Sequence, residues 1–346
     1  MLNHANNLNH ARGFSLVELL LAMLISLIII GGVMGIYINT RDTQRTADDQ
    51  LQMVADARFV IQSIGYDLRH AGKWGGTTLD NGILCKAGGD GNCPDADELP
   101  DNIAGDCAAE DYMNLSQPIF GFNDSNPYGS TCASNGYAPN TDILQVRYAD
   151  PTPIDTGSLA AGVIYIRSNA AGGSVFDGGS FPIHWSTVPW RTGDPYDAYT
   201  FNYPLRSNTY YVSSYTDTPG DGLPSLRLAT LRPGPEVTDE VLLTGVEDFQ
   251  VQYGIVDDQN TNPEDKDTIV SYISADQVPL NGGWQKVRAV KIWVLMRGER
   301  EDREGIGGSQ TFTIASQPAQ TFNDGYRRFL VSSVVRTRNT NRLGEN

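Results

Sequence analysis

Residues 14–38, FSLVELLLAMLISLIIIGGVMGIYI, are apolar at nearly every position, and no charged residue occurs from Leu19 to Ile38. At about 1.5 Å of rise per residue, those positions span about 30 Å as a helix, the thickness of a bilayer's hydrocarbon core. From Asn39 to Ala71 the pattern turns amphipathic. Val54, Ala57, Ile61, Ile64 and Leu68 recur at 3-4-3-4 spacing, which predicts a helix with one buried face. The stripe stops at His70-Ala71-Gly72, where glycine can take the left-handed conformation that ends a helix and His70 can face the helix dipole. Gly31, Gly32 and Gly35 are places for a bend or for close helix packing.

Further on the period changes to that of strands. The runs 142–149, 162–167, 209–215, 225–231 and 240–255 are dominated by Val, Ile and Tyr, residues suited to a pleated, half-buried surface. In 287–297 both alternating sets are largely apolar, which predicts a central strand. Together these runs predict an α+β fold: an antiparallel sheet laid against the amphipathic half of one long helix. Residues 72–140 instead read as a loop-rich insertion, dense in Gly, Asn, Asp and Pro. The organisation expected is 1–13 leader, 14–38 apolar half-helix, 39–71 amphipathic half-helix, 72–140 insertion, 141–339 sheet domain and 340–346 tail.

The chain has 346 residues and a formal net charge of −16. An acidic chain is a poor counterion for phosphate, so nucleic acid is not expected as the main partner. The end of the chain is locally basic; Arg327, Arg328, Arg336 and Arg338 are expected to pair with the acidic remainder or to meet an acidic neighbour. The polar residues 1–13 precede the apolar run, and YINTRDTQRTADD after it offers no small-residue cleavage site. The helix is therefore expected to stay as an anchor. Arg12 lies on one side of it and Arg41 and Arg45 on the other, so the positive-inside rule leaves its orientation open.

Little of the sequence invites catalysis. Of 4 histidines only His70 and His184 lie in the body of the chain, and no G-x-S-x-G turn occurs, so no enzymatic activity is expected. His184 sits among Phe181, Trp185, Trp190, Tyr196, Tyr199, Phe201 and Tyr203, a cluster read as loop packing or a contact surface. Cys85, Cys93, Cys107 and Cys132 are separated by 7, 13 and 24 residues. That spacing matches no zinc site. Two disulfides are expected; three pairings are open, Cys85 with Cys93 and Cys107 with Cys132 being the first to test, and four reduced thiols are the alternative. Asp258, Asn260 and Asn262 alternate like the start of a calcium loop, but Pro263 and Ile269 break that pattern. A solvated acidic turn is the simpler reading, and no cofactor is expected beyond that calcium candidate.

Glu18 is the exception inside the apolar run, a carboxylate that costs an isolated membrane helix about 2 kcal/mol or more. R-G-F-S-L-V-E-L-L-L, residues 12–21, resembles the processing site of type IV prepilins. The resemblance implies that a prepilin peptidase cuts between Gly13 and Phe14 and that the new Phe14 amine is methylated. It implies also that Glu18 acts in assembly, beside a neighbouring subunit's terminal amine. QMVADARFVIQSIGYDLRHAGKWGG (52–76), VRAVKIWVLMRGE (287–299) and YRRFLVSSVVRTRN (326–339) are similar to the PilW family of minor pilins.

By that resemblance the chain is a type IV pilin-like subunit: a single-pass protein of the bacterial inner membrane, with its globular domain in the periplasm, that passes into a pilus on the cell surface. Its partners would be other minor pilins, the major pilin and a tip adhesin. The alternatives are a minor pseudopilin of a type II secretion or DNA-uptake machine, and a membrane-anchored adhesin or binding protein that never polymerises.

Overall fold

The computed structural model describes residues 15–78, 83, 102–103, 107–108, 112–128, 136–169, 172–179, 200–256, 268–301 and 308–340. The chain divides into two compact units, Met1–Gln52 and Met53–Asn346. Helix α1 is Leu16–His70. In the first unit it stays helical through Gly31, Gly32 and Gly35. Where its surface turns polar, the hydroxyls of Thr40 and Thr43 donate to the carbonyls of Ile36 and Asn39, both at 2.9 Å, so they are satisfied within the helix.

The second unit holds the strands. In chain order they are β1 Asn102–Ile103, β2 Cys107–Ala108, β3 Ile119–Phe122, β4 Ile143–Ala149 and β5 Ile164–Asn169. Next come β6 Gly172–Asp177, β7 Phe201–Ser213, β8 Ser225–Arg232, β9 Glu236–Thr244 and β10 Val246–Val256. The last are β11 Ile269–Ile273, β12 Val287–Glu301, β13 Gln310–Phe312, β14 Gln320–Phe322 and β15 Tyr326–Arg336.

They form two principal antiparallel sheets, where the sequence pattern predicts one. A four-stranded sheet has the order β11-β10-β12-β15, and a seven-stranded sheet runs β3-β4-β7-β5-β6, with β8 on β7 and β9 on β8. β12 is central, as its two apolar faces require. The apolar run 240–255 is two strands because Gly245 interrupts it at φ +78: β9 before it pairs in one sheet and β10 after it in the other. A side chain there would have its Cβ 2.9 Å from the Arg297 carbonyl oxygen, so glycine is what lets the chain change sheets at this point.

Asp142, the residue before β4, joins the sheets. Its N–H donates to the Phe249 carbonyl at 2.9 Å, and its Oδ2 accepts the Val251 N–H at 2.7 Å. One side chain and its backbone thus take the place of a strand along the part of β10 that β11, paired only with Tyr253–Val256, does not reach.

The end of α1 closes the core. Met53, Ala57, Val60, Ile64 and Leu68 are buried among Val146, Val212, Phe249, Val251, Val290, Ile292 and Val294. This face is turned slightly from the expected stripe, with Val54 and Ile61 at its margin. A second cluster packs Trp74, Tyr112, Met113 and Leu115 on Ile164, Ile166, Val175 and Leu205. Residues 72–140 are therefore not all loop: β3 pairs with β4, though it lies in a glycine- and asparagine-rich stretch. Gly72 ends the helix at φ +75, the conformation expected of it.

Candidate functional site

The amino-terminal part of α1 is an apolar rod. Every large hydrophobic side chain from Leu16 to Ile38 is between 49% and 74% exposed, so this surface is satisfied only by lipid or by other apolar helices. Ser15 stands immediately before it. Its carbonyl accepts the Leu19 N–H at 3.1 Å, its N–H donates to Glu18 Oε2 at 3.0 Å and its hydroxyl accepts the Val17 N–H at 3.4 Å.

Ser15-Leu16-Val17-Glu18 is thus an S-x-x-E capping box. Glu18 is exposed, it satisfies a backbone donor at the start of its own helix, and it lies where the helix dipole favours an anion. This second role of Glu18 was written in the four letters Ser-Leu-Val-Glu, and reading the residue only as a misplaced charge passes over it. Gly13 and Phe14 lie outside the described residues.

Other candidates separate clearly. Cys85, Cys93 and Cys132 lie outside the described residues, and of Cys107 only the backbone, in β2, is described. Asp258, Asn260 and Asn262, the tail 341–346, and His184 with Phe181, Trp185, Trp190, Tyr196 and Tyr199 also lie outside them; of that cluster Phe201 and Tyr203 are described, both on β7, Phe201 exposed and Tyr203 packed on the second core cluster. Among the described residues no group of three His, Cys, Asp or Glu side chains is placed to hold a metal ion. His70 caps the end of α1: its Nδ1 lies 2.9 Å from the Tyr66 carbonyl oxygen, and its ring packs 4.3 Å from Tyr66 and 5.6 Å from Tyr148 between centroids.

Two charged residues have places the sequence did not suggest. Asp67 faces the core at 5% exposure. Its carboxylate accepts hydrogen bonds from the Tyr148 hydroxyl at 2.7 Å, the Tyr210 hydroxyl at 2.6 Å and Asn208 Nδ2 at 2.6 Å. Arg328 pairs with the acidic remainder, one of the two expectations for it, but from a side chain only 1% exposed. It donates to Glu247 Oε1 at 2.9 Å and to both Asp324 oxygens at 2.7 and 2.6 Å, and its guanidinium lies 3.8 Å from the centroid of the Phe322 ring. That partner holds the Asp324 carboxyl down at about 2. Both clusters have their partners within the fold and brace it, and the apolar rod with Glu18 is the candidate surface that has none there.

The model of the Prokaryotic N-terminal methylation motif matches residues 8–34. With the long apolar helix and the antiparallel sheets, this match makes the chain similar to type IV pilin-like proteins. The model of the Type IV Pilus-assembly protein W family matches residues 209–339, from β7 through β15. The carboxyl-terminal part of the chain is accordingly similar to the PilW family. A type IV-like pilin from Thermus thermophilus is similar at 17% identity, over 58% of this chain and 80% of that one, with a TM-score of 0.25. No curated protein matches the chain.

Proposed function

We propose that this chain is a minor pilin that helps initiate and assemble type IV pili, joining other minor pilins in a complex at the pilus tip. The carrying observation is the exposed apolar rod from Leu16 to Ile38, with Glu18 in its first turn, in a chain whose carboxyl-terminal part matches the PilW model. The precursor sits in the inner membrane with its sheets in the periplasm, and prepilin peptidase releases residues 1–13. The rod then leaves lipid for the packed helices of a filament.

The role is structural. Apolar helix packing supplies attraction, and Glu18 exchanges its own Ser15 N–H for the methylated Phe14 amine of a neighbour. A charged donor makes the stronger hydrogen bond.

Deleting the gene tests the reading. Loss of surface pili and twitching, restored by the intact chain found in sheared pili, is expected. Normal piliation with defective protein secretion would overturn it in favour of a pseudopilin. Full function of an unprocessed chain would favour an anchored binding protein.

A further inference from the structure

The seven-stranded sheet has a second buried face. Strand residues alternate between faces, so Leu144, Val146, Tyr210 and Val212 join the core against α1, while Gln145, Arg147, Ser207 and Thr209 point the other way. Each of these four is no more than 1% exposed. Gln145 on β4 stands opposite Thr209 on β7, and Arg147 opposite Ser207, which sets the side chains of each pair about 5 Å apart at Cβ. Tyr112, Met113 and Leu115 cover the apolar positions beside them, Ala149 and Leu205. The polar island therefore lies beneath the described part of the 72–140 insertion.

Part of the island is joined to the insertion directly. Gln145 Oε1 accepts the Tyr128 hydroxyl at 3.0 Å and a bond from Arg147 Nη2, and Arg147 Nη1 donates to the Gln117 carbonyl. Two donors on one oxygen settle which end of the Gln145 amide is which, so its Nε2 can only donate. That Nε2, Ser207 Oγ and Thr209 Oγ1 are buried and have no hydrogen-bond partner among the described residues. Buried polar atoms without partners are rare, and here three occupy adjoining positions on two paired strands. An internal water typically makes about three hydrogen bonds to groups of this kind.

We propose that a buried water is bound at this island, accepting from Gln145 Nε2 and bonded to the hydroxyls of Ser207 and Thr209, and that it forms part of the joint between the insertion and the sheet. Its chemistry matches the three groups: one lone pair for the amide hydrogen, and a second lone pair with two hydrogens for hydroxyls that give or take. A metal cation does not fit, because the amide presents a hydrogen to it and Arg147 a like charge. An anion would need both hydroxyls as donors at once, a constraint that water does not impose.

The test uses the full chain in detergent micelles. Thr209→Val and Ser207→Ala each take one bond from the water, and each is expected to raise the unfolding equilibrium constant about fivefold, seen as a lower urea midpoint. The double variant is expected to lose clearly less than the two changes combined, because both act on one water. Were the hydroxyls simply unpaired, removing them would leave the midpoint unchanged or raise it. An unchanged or higher midpoint for both single variants, or strictly additive losses, would overturn the proposal. Where a variant fails to fold, a crystal structure of the unmodified chain decides. Density for a water within about 3.2 Å of Gln145 Nε2 and both hydroxyls is expected, and a side chain of the insertion, a halide or a dry contact in that place would overturn it. Neither measurement depends on filament assembly, so the result is independent of the minor-pilin reading.

Discussion

The hydroxyl of Tyr210, on β7, donates to the carboxylate of Asp67, on α1, at 2.6 Å. Tyr148 and Asn208 add two further bonds to the same group, so a buried anion ties the last turns of the helix to the seven-stranded sheet. Burying a carboxylate is costly unless its lone pairs are filled, and here three donors fill them.

Asp67→Ala is expected to destabilise the folded chain by about 2–4 kcal/mol, because two tyrosine hydroxyls and an amide lose their acceptor inside the core. Asp67→Asn, which keeps an acceptor, is expected to cost less. Urea unfolding followed by tyrosine fluorescence checks both. A loss within about 0.5 kcal/mol for the alanine variant would show that the cluster does not brace the helix.

Stability should fall as pH rises from about 4 to 8. Burial pushes the Asp142 carboxyl up to about 7 and the Asp248 carboxyl up to about 6, against about 3.9 in an unfolded chain. A group whose folded value is raised favours the fold when protonated. That contribution is complete below about pH 4 and is lost as pH passes the two folded values. Asp221 and Asp324, both held at about 2, work in the opposite direction, and their contribution is lost only in more acidic solution. Urea midpoints at pH 5 and pH 8 check the sign: the lower midpoint is expected at pH 8, and Asp142→Asn should flatten the slope.

Arg328→Lys is expected to cost about 3 kcal/mol, measured as a drop in the unfolding midpoint. An ammonium cannot reach both Glu247 and Asp324 with paired bonds, so a cation at this buried position is left short of acceptors. An unchanged midpoint would mean that these carboxylates are adequately solvated without it.

What the sequence disclosed follows from which interactions are periodic. The apolar rod, the amphipathic turns, the glycine stop and the central strand β12 were legible because each rests on a local repeat. The division into two sheets was not. It depends on Gly245 inside a continuous apolar run and on Asp142 acting as a strand across a distance of more than one hundred residues. The buried face of α1 was read slightly off because Asp67 belongs to it, and a carboxylate in a core is recognisable only once Tyr148, Asn208 and Tyr210 are placed around it. β3 escaped notice because it is four residues long within a stretch rich in Gly, Asn and Pro, and the first half of β7 because it contains Asn202 and Pro204. The burial of Arg328 escaped notice because one of its partners, Glu247, lies 81 residues away in the chain.

Glu18→Ala is expected to leave peptidase processing intact while lowering incorporation into sheared pili several-fold. The substitution removes both the Ser15 cap and the contact offered to a neighbour's Phe14 amine. Glu18→Gln, which keeps the cap's acceptor and removes the charge, separates the two: it should incorporate as poorly as the alanine variant if charge pairing sets assembly. Wild-type incorporation of both variants would remove Glu18 from the mechanism.

The most direct measurement is the mass of the mature amino terminus, taken by mass spectrometry from cells with and without prepilin peptidase. A chain that begins with N-methylated Phe14 only when the peptidase is present is the expected result, and it would establish a processed pilin-like subunit. An intact Met1 in both strains, or a terminus beyond Ile38, would contradict the account.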